Sequence, residues 1–208
     1  MALLDRPANP GPDDEELMRR FARGDARAFE ALVARHQKGV FNFCLRTLKE
    51  RAAAEDATQE IFMRVVKTAK SWERSAKVTT WLYTIARNHC IDALRRASYR
   101  KTASLDRSLA DTEDGASLRD RLPDEREIPP DRGAESSRIR GVLVKAIEEL
   151  PAEQREVFLM RESAGMPFKE IADIVGAPEN TVKSRMRYAL EHLRSRLTAA
   201  GIEPLEVK

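Results

Sequence analysis

Cysteine is scarce in this chain: its 208 residues hold two, Cys44 and Cys90. Two thiols make neither a disulfide framework nor a metal knuckle, so a reducing, cytoplasmic setting is expected, with no metal and no cofactor. No apolar run approaches the ~20 residues needed to cross a bilayer, which excludes a simple transmembrane protein and predicts no membrane insertion. The opening stretch MALLDRPANPGPDDEEL has no basic start followed by an apolar segment, so no secretory signal is expected. Glycine and proline are few, nine and ten, and many fall in a few places, which predicts long helices with defined breaks. No β-alternation of useful length occurs. A strong charge of one sign is missing too: 37 Lys and Arg against 34 Asp and Glu leave a net charge of +3. Such a balance says nothing for nucleic acid by itself, and the distribution of charge has to decide.

What is present supports an all-α chain of two helical domains. The apolar share of 42% can fill cores, and the length suits two domains of roughly 80–100 residues better than one. Residues 1–12 read as a mobile tail. Residues 13–97 form the first domain: Phe29, Leu32, Val33, His36, Val40, Phe41, Cys44, Leu45 and Leu48 recur at helical spacing behind an Asp25 cap, and two further helices follow, about 53–70 and 77–97. Residues 98–138 are charged, carry Pro123, Pro129 and Pro130, and read as a flexible linker. Helicity resumes near Ser136, and residues 139–208 form the second domain.

The second domain carries a helix-turn-helix pattern. A short helix, Phe168–Val175, is broken by Gly176-Ala177-Pro178, and a longer one spans Glu179–Leu197. Small Ala172, Gly176 in the turn and β-branched Val182 stand where two crossing helices must approach. Asn180 or Thr181 can cap the second helix. Val182, Met186, Ala189, Leu190 and Leu193 are its expected inner face; Thr181, Lys183, Ser184, Arg185, Arg187 and Tyr188 its outer one. Hydroxyls and guanidiniums on a basic helix suit phosphate and major-groove contacts, though a solvated amphipathic helix reads similarly.

The first domain presents two dissimilar stripes. On helix 53–70, Ala57, Thr58, Ile61, Val65, Thr68 and Ala69 point inward; Asp56, Gln59, Glu60 and Met63 lie opposite. That stripe is either a plain solvent face or a docking surface for a basic partner. A catalytic carboxylate pair lacks a nearby His, metal set or nucleophile. On helix 77–97, Val78, Leu82, Ile85, Ala86, His89 and Ala93 form the expected inner face, and Trp81, Thr84, Asn88 and Arg95 the outer. An exposed Trp among amides and arginines fits single-stranded nucleic acid; packing under the linker or the second domain is the equal alternative. His36 reads as a satisfied core histidine, and His89 with Cys90 as structural.

AEDATQEIFMRVVK (54–67), KVTTWLYTIARNHCIDALRR (77–96), LPAEQREVFLMRE (150–162) and FKEIADIVGAPENTVKSRMRYALEHLR (168–194), in this order, resemble the sigma-70 family of bacterial RNA polymerase sigma factors, in its compact extracytoplasmic-function (ECF) group. The resemblance implies a sigma region 2-like bundle and a sigma region 4-like helix-turn-helix. It places Asp56, Gln59, Glu60 and Met63 on the surface that docks the β′ clamp helices of core RNA polymerase, with the β flap as a second contact. Trp72, Lys77 and Thr80 fall in the loop that captures a flipped minus-10 base. Trp81, Thr84, Asn88, Arg95 and Arg96 fall on the helix facing that element. Asn180, Thr181, Lys183, Ser184, Arg185, Arg187 and Tyr188 match the helix that reads minus-35. An anti-sigma factor is an expected partner, and no enzymatic chemistry is. The competing class is a free-standing helix-turn-helix regulator acting without polymerase; against it, the first domain offers no ligand-pocket signature and no dimerisation heptad.

Overall fold

The computed structural model describes residues 12–72, 77–107 and 130–202, with the side chains of 100–107 and 130–135 left aside. Among the described residues every regular element is helical. In chain order these are α1 (Asp14–Ala22), α2 (Ala26–Leu48), α3 (Arg51–Thr68), a single 3₁₀ turn (Ala69–Ser71), α4 (Val78–Arg107), α5 (Pro130–Glu149), α6 (Ala152–Ala164), α7 (Phe168–Val175) and α8 (Glu179–Ala199). The expected tail at 1–11, the loop residues 73–76 and the linker centre at 108–129 lie outside the described residues.

Local chemistry accounts for most boundaries. Asp13 caps α1 by accepting from the Glu16 N–H at 2.7 Å, and Asp25 caps α2 by accepting from the Arg27 and Ala28 amides. Gly165 and Gly176 end α6 and α7 at φ +65° and +69°, a left-handed conformation that glycine adopts without steric cost. Three expectations need correction. Asn180 and Thr181 do not cap α8; Pro178 holds that position and no side-chain cap bond forms, because its fixed φ already sets the entry. Helix α4 continues to Arg107, well past residue 97, and α5 begins at Pro130, before Ser136. Leu190 is exposed instead of facing inward, since the neighbours of α8 cover the flank of Val182, Met186, Ala189 and Leu193 only.

The helices α1–α4 close over Leu17, Met18, Leu32, Val40, Phe43, Ile61, Val65 and Leu82. The helices α5–α8 close over Leu150, Val157, Met160, Ile171, Val182 and Met186. The two cores meet, with α6 against α2 and α7 against α4. Tyr83 sits fully buried in that seam, its ring edge-on to Phe43 at 5.6 Å. Gly39 lets it in: a Cβ there would stand 2.8 Å from the Tyr83 hydroxyl oxygen and 3.7 Å from the Ser163 carbonyl. Polar links cross the same seam. The Arg87 Nε donates to Glu156 Oε2 at 2.8 Å and its Nη2 to Oε1 at 3.4 Å. Arg46 pairs with Glu148 at 3.3 Å, and the Thr80 hydroxyl donates to Glu170 at 2.7 Å.

Candidate nucleic-acid and partner interfaces

The α3 stripe is exposed along its length: Asp56, Gln59, Glu60 and Met63 all face solvent, while Ala57, Ile61, Val65 and Ala69 are buried. Met63 is 53% exposed and Val66, one turn on, 41%. Val66 was missed in the sequence although its spacing from Met63 carries it onto the same side. Two bare apolar side chains, Met63 next to the acids and Val66 one turn on, form a surface with something to gain from a partner that is itself basic and partly apolar.

The α4 side is less open than the sequence suggests. Trp72 is 7% exposed, and its indole Nε1 is buried with no acceptor. Lys77 is exposed. Trp81 is not on an outer face: it is half-buried against the core, lining an apolar crevice with Phe29, Phe62, Val65 and Leu82. The shift follows from α1 and α3, which pack against the start of α4 and cover part of that flank. Thr80 and Thr84 are half-buried; Thr80 is engaged by Glu170, and the Thr84 hydroxyl donates to the Thr80 carbonyl at 2.8 Å. Asn88, Arg95 and Arg96 remain exposed, joined by Leu94 and Tyr99. Tyr99 escaped notice because its segment reads as linker, yet its spacing from Arg95 puts it on the same side of a helix that simply continues. Burial and the Arg96 charge hold His89 below its ordinary pKa, which keeps it neutral beside the cations.

On α8, Asn180, Thr181, Lys183, Ser184, Arg187 and Tyr188 are exposed. The Arg187 guanidinium lies 4.9 Å from the centre of the Tyr188 ring. Arg185 stands apart: its side chain is 20% exposed and donates to Glu153 of α6 at 2.6 Å, so it sits on the flank of the presented surface. Lys183 pairs with Glu179 at 2.6 Å and Arg187 with Glu191 at 3.7 Å, both one turn away. Exposed pairs of this kind contribute ~0–1 kcal/mol, so their cations exchange readily to phosphate.

His36 and the two cysteines are structural. His36 is buried and its Nε2 lies 2.8 Å from an Asp14 carboxylate oxygen. Cys44 and Cys90 are both fully buried, free, and 3.8 Å apart sulfur to sulfur.

Comparison with known proteins agrees with this layout. The family model for Sigma-70 region 2 matches residues 32–100, and that for Sigma-70, region 4 matches residues 140–193. The chain is 30% identical over 175 residues to the ECF RNA polymerase sigma factor SigW of Bacillus subtilis, covering 84% of this chain and 91% of that one. It is 30% identical over 187 residues to the ECF RNA polymerase sigma-E factor of Escherichia coli K12, covering 88% and 94%. In fold it is similar to the sigma factor RpoE of Bartonella quintana, solved in complex with the anti-sigma factor NepR, with a TM-score of 0.63, 22% identity and coverage of 83% and 98%. It is likewise similar to CnrH, solved with the cytosolic domain of CnrY, with a TM-score of 0.62, 22% identity and coverage of 89% and 97%.

Proposed function

The chain belongs to the ECF group of the sigma-70 family, the proteins that bind core RNA polymerase and direct it to specific promoters, and on that premise we propose how its surfaces divide the work. The acidic stripe of α3, with Met63 and Val66, docks the β′ clamp helices. Trp72, Lys77, Thr80, Trp81, Thr84, Asn88, Arg95 and Arg96, at the start and along α4, hold the melted minus-10 strand. The exposed residues of α8 read minus-35, and Arg185 joins them from the flank. The single observation that carries the docking assignment is the α3 stripe: a helix face that bares Met63 next to Asp56, Gln59 and Glu60, with Val66 one turn on, while Ala57, Ile61, Val65 and Ala69 on its other side are buried.

Nothing in this role asks the chain to make or break a covalent bond, so we read it as a non-enzyme. Melting costs a few kcal/mol for each base taken from the stack, and stacking and polar contacts with the released strand offset that cost. Two modest DNA sites on one polymerase act as a tethered pair, so the second binds at high effective concentration. The site of action is the chromosome, in the cytoplasm; no described helix is long and apolar enough to cross a membrane. By analogy with the RpoE–NepR pair, an inhibitory protein covering the polymerase-binding faces is the expected regulator. A free-standing operator-binding regulator is not favoured.

The test is transcription in vitro by sigma-free core polymerase on sheared genomic DNA of the source organism, with sequencing of transcript 5′ ends. Starts should cluster downstream of one shared pair of elements. Asp56→Arg with Glu60→Arg should abolish these starts and co-elution with core while the helical content stays intact. Unchanged co-elution would overturn the docking assignment.

A further inference from the structure

Between the C-terminal end of α1 and the 3₁₀ turn after α3 lies an open cavity of about 190 Å³, lined by Arg19, Ala22, Arg23, Ala69, Lys70 and Trp72. Three of these six residues are cations and none is an acid. Glu16, on the same helix, pairs with Arg19 at 2.7 Å and with Arg20 at 2.8 Å. Arg19 also donates from Nε to the Glu15 carbonyl at 3.2 Å, so its side chain is fixed along α1. Arg23 and Lys70 form no ion pair within 4 Å among the described residues, although the Arg23 charge still acts on Glu16. The cavity stands at the carboxyl end of α1, where the helix dipole disfavours an anion, so any pull on one must come from these side chains.

The second observation is independent of charge. Trp72 lines this cavity, and its indole N–H is covered in the free protein and has no acceptor, so a ligand reaches it only as the ring shifts. A buried donor left unpaired costs about 1–3 kcal/mol, and native structures rarely leave one so. Cations without partners beside an orphaned donor define a ligand that is anionic and carries hydrogen-bond acceptors. A phosphate diester has both properties. It also has a reason to be here, because Trp72 opens the segment proposed above to hold the minus-10 strand. A strand held there brings one phosphate with every nucleotide.

We propose that Arg19, Arg23, Lys70 and the Trp72 indole N–H form a seat for one backbone phosphate of the single-stranded minus-10 region. The proposal rests on the strand-binding reading of Trp72 and α4, and it adds α1 to the elements that touch DNA. The contact carries no base identity. It fixes the register of the strand so that the neighbouring base meets the loop and α4.

The experiment uses the holoenzyme and a fluorescein-labelled 20-nucleotide single strand whose sequence is the non-template minus-10 region mapped by the transcription assay. Arg23→Ala with Lys70→Ala should weaken binding several-fold and lower the slope of log affinity against log salt by about 0.7, the loss of one phosphate contact on a single strand. Trp72→Phe keeps the ring and removes only the N–H, and should also weaken binding several-fold. A scan of uncharged methylphosphonate linkages should find one position that weakens binding to the parent protein and has no effect on the Arg23→Ala, Lys70→Ala variant. Unchanged affinity and slope in that variant, with no such position, overturns the seat. If Arg95→Ala with Arg96→Ala also leaves strand binding unchanged, the strand-binding reading fails with it; if that pair alone loses binding, only the seat does. Titration of inorganic phosphate into the free protein separates the remaining case. Saturable phosphate binding that depends on Arg23 and Lys70, with strand binding unaltered, marks a free-anion site and overturns the DNA assignment.

Discussion

The ion pair that crosses the seam, Arg87 with Glu156, gives the most exacting test of how the two halves are held. Its side chains are 22% and 16% exposed, and the guanidinium meets the carboxylate through two N–H groups at 2.8 and 3.4 Å. At ~4 Å between charge centres and an effective dielectric of ~20, the bare attraction is ~4 kcal/mol. Desolvation and residual solvent screening take most of it back. Exposed pairs measure ~0.2–1 kcal/mol, and breaking a buried one costs ~3–5 kcal/mol, so a coupling energy of about 1–2 kcal/mol is expected for this half-buried case. That corresponds to a shift of roughly 5- to 30-fold in the ratio of apposed to separated halves.

The assay is energy transfer between dyes at Glu55→Cys on α3 and Ser195→Cys on α8, both exposed positions. The native thiols are fully buried and stay unlabelled. Glu156→Ala and Arg87→Ala should each lower the salt concentration at which transfer is lost, and the double variant should lose no more than the worse single one. Arg87→Glu with Glu156→Arg should restore much of the parent behaviour. Additive effects of the two alanines, a coupling below ~0.3 kcal/mol, would refute the reasoning and leave the seam to Tyr83 and its apolar neighbours. The outcome bears on function because Glu170 of α7 holds the Thr80 hydroxyl. A DNA strand using Thr80 has to displace an acid first.

Three further expectations can be checked directly. Arg185→Ala should weaken minus-35-dependent initiation by roughly 1–3 kcal/mol, read across a promoter panel, and Glu153→Ala should change it in the opposite direction by freeing the guanidinium. Burial alone would raise the Asp14 pKa, but hydrogen bonds and charge from His36 and Arg35 outweigh it and hold the carboxyl below its ordinary value. A depressed acid stabilises the fold above its unfolded pKa of ~3.9 and loses that contribution as pH falls through the folded value, so Asp14→Asn should lower the melting temperature at pH 7 and the difference should shrink as pH falls below the unfolded value and through the folded one. Gly176→Ala should cost about 1 kcal/mol on melting, from the left-handed backbone alone since nothing lies within 4 Å of the added carbon, whereas Gly141→Ala within α5 should stabilise by up to ~1 kcal/mol.

What the sequence discloses and what it hides divide along physical lines. Patterns written on one helix were legible: the Asp25 cap, the inward stripe Ala57–Ile61–Val65, the Gly176 turn and the exposed acids of α3 all depend on neighbours within a turn or two. Features decided by other helices were not. Trp81 and Thr84 lie on a side of α4 that only the approach of α1, α3 and α7 turns away from solvent. Arg185 has outward spacing on α8, yet Glu153 on α6 draws it to the flank. Tyr83 is buried because Gly39, on another helix, leaves room for its hydroxyl, and no periodicity within α4 carries that fact. The cavity at Trp72 is of the same kind, since its cations come from the end of α1 and from the 3₁₀ turn after α3.

The charge pattern explains why a chain built to touch DNA in two places carries a net charge of only +3. Several of its cations are stored against acids within reach: Lys183 on Glu179, Arg187 on Glu191, Arg185 on Glu153, Arg87 on Glu156. Each phosphate contact at those positions replaces an existing pair, so its net gain is smaller than that of a free cation. Non-specific affinity scales with the number of phosphates neutralised at a net gain. Arrays of exchanged pairs therefore keep the isolated protein loosely bound, and specificity grows only when polymerase holds both DNA-facing surfaces on one promoter. Arg23 and Lys70 beside Trp72 make no such pair and line the concave site proposed above as a phosphate seat. On that proposal, positive charge placed there attracts a strand that has already been separated, and favours the melted promoter over the closed one.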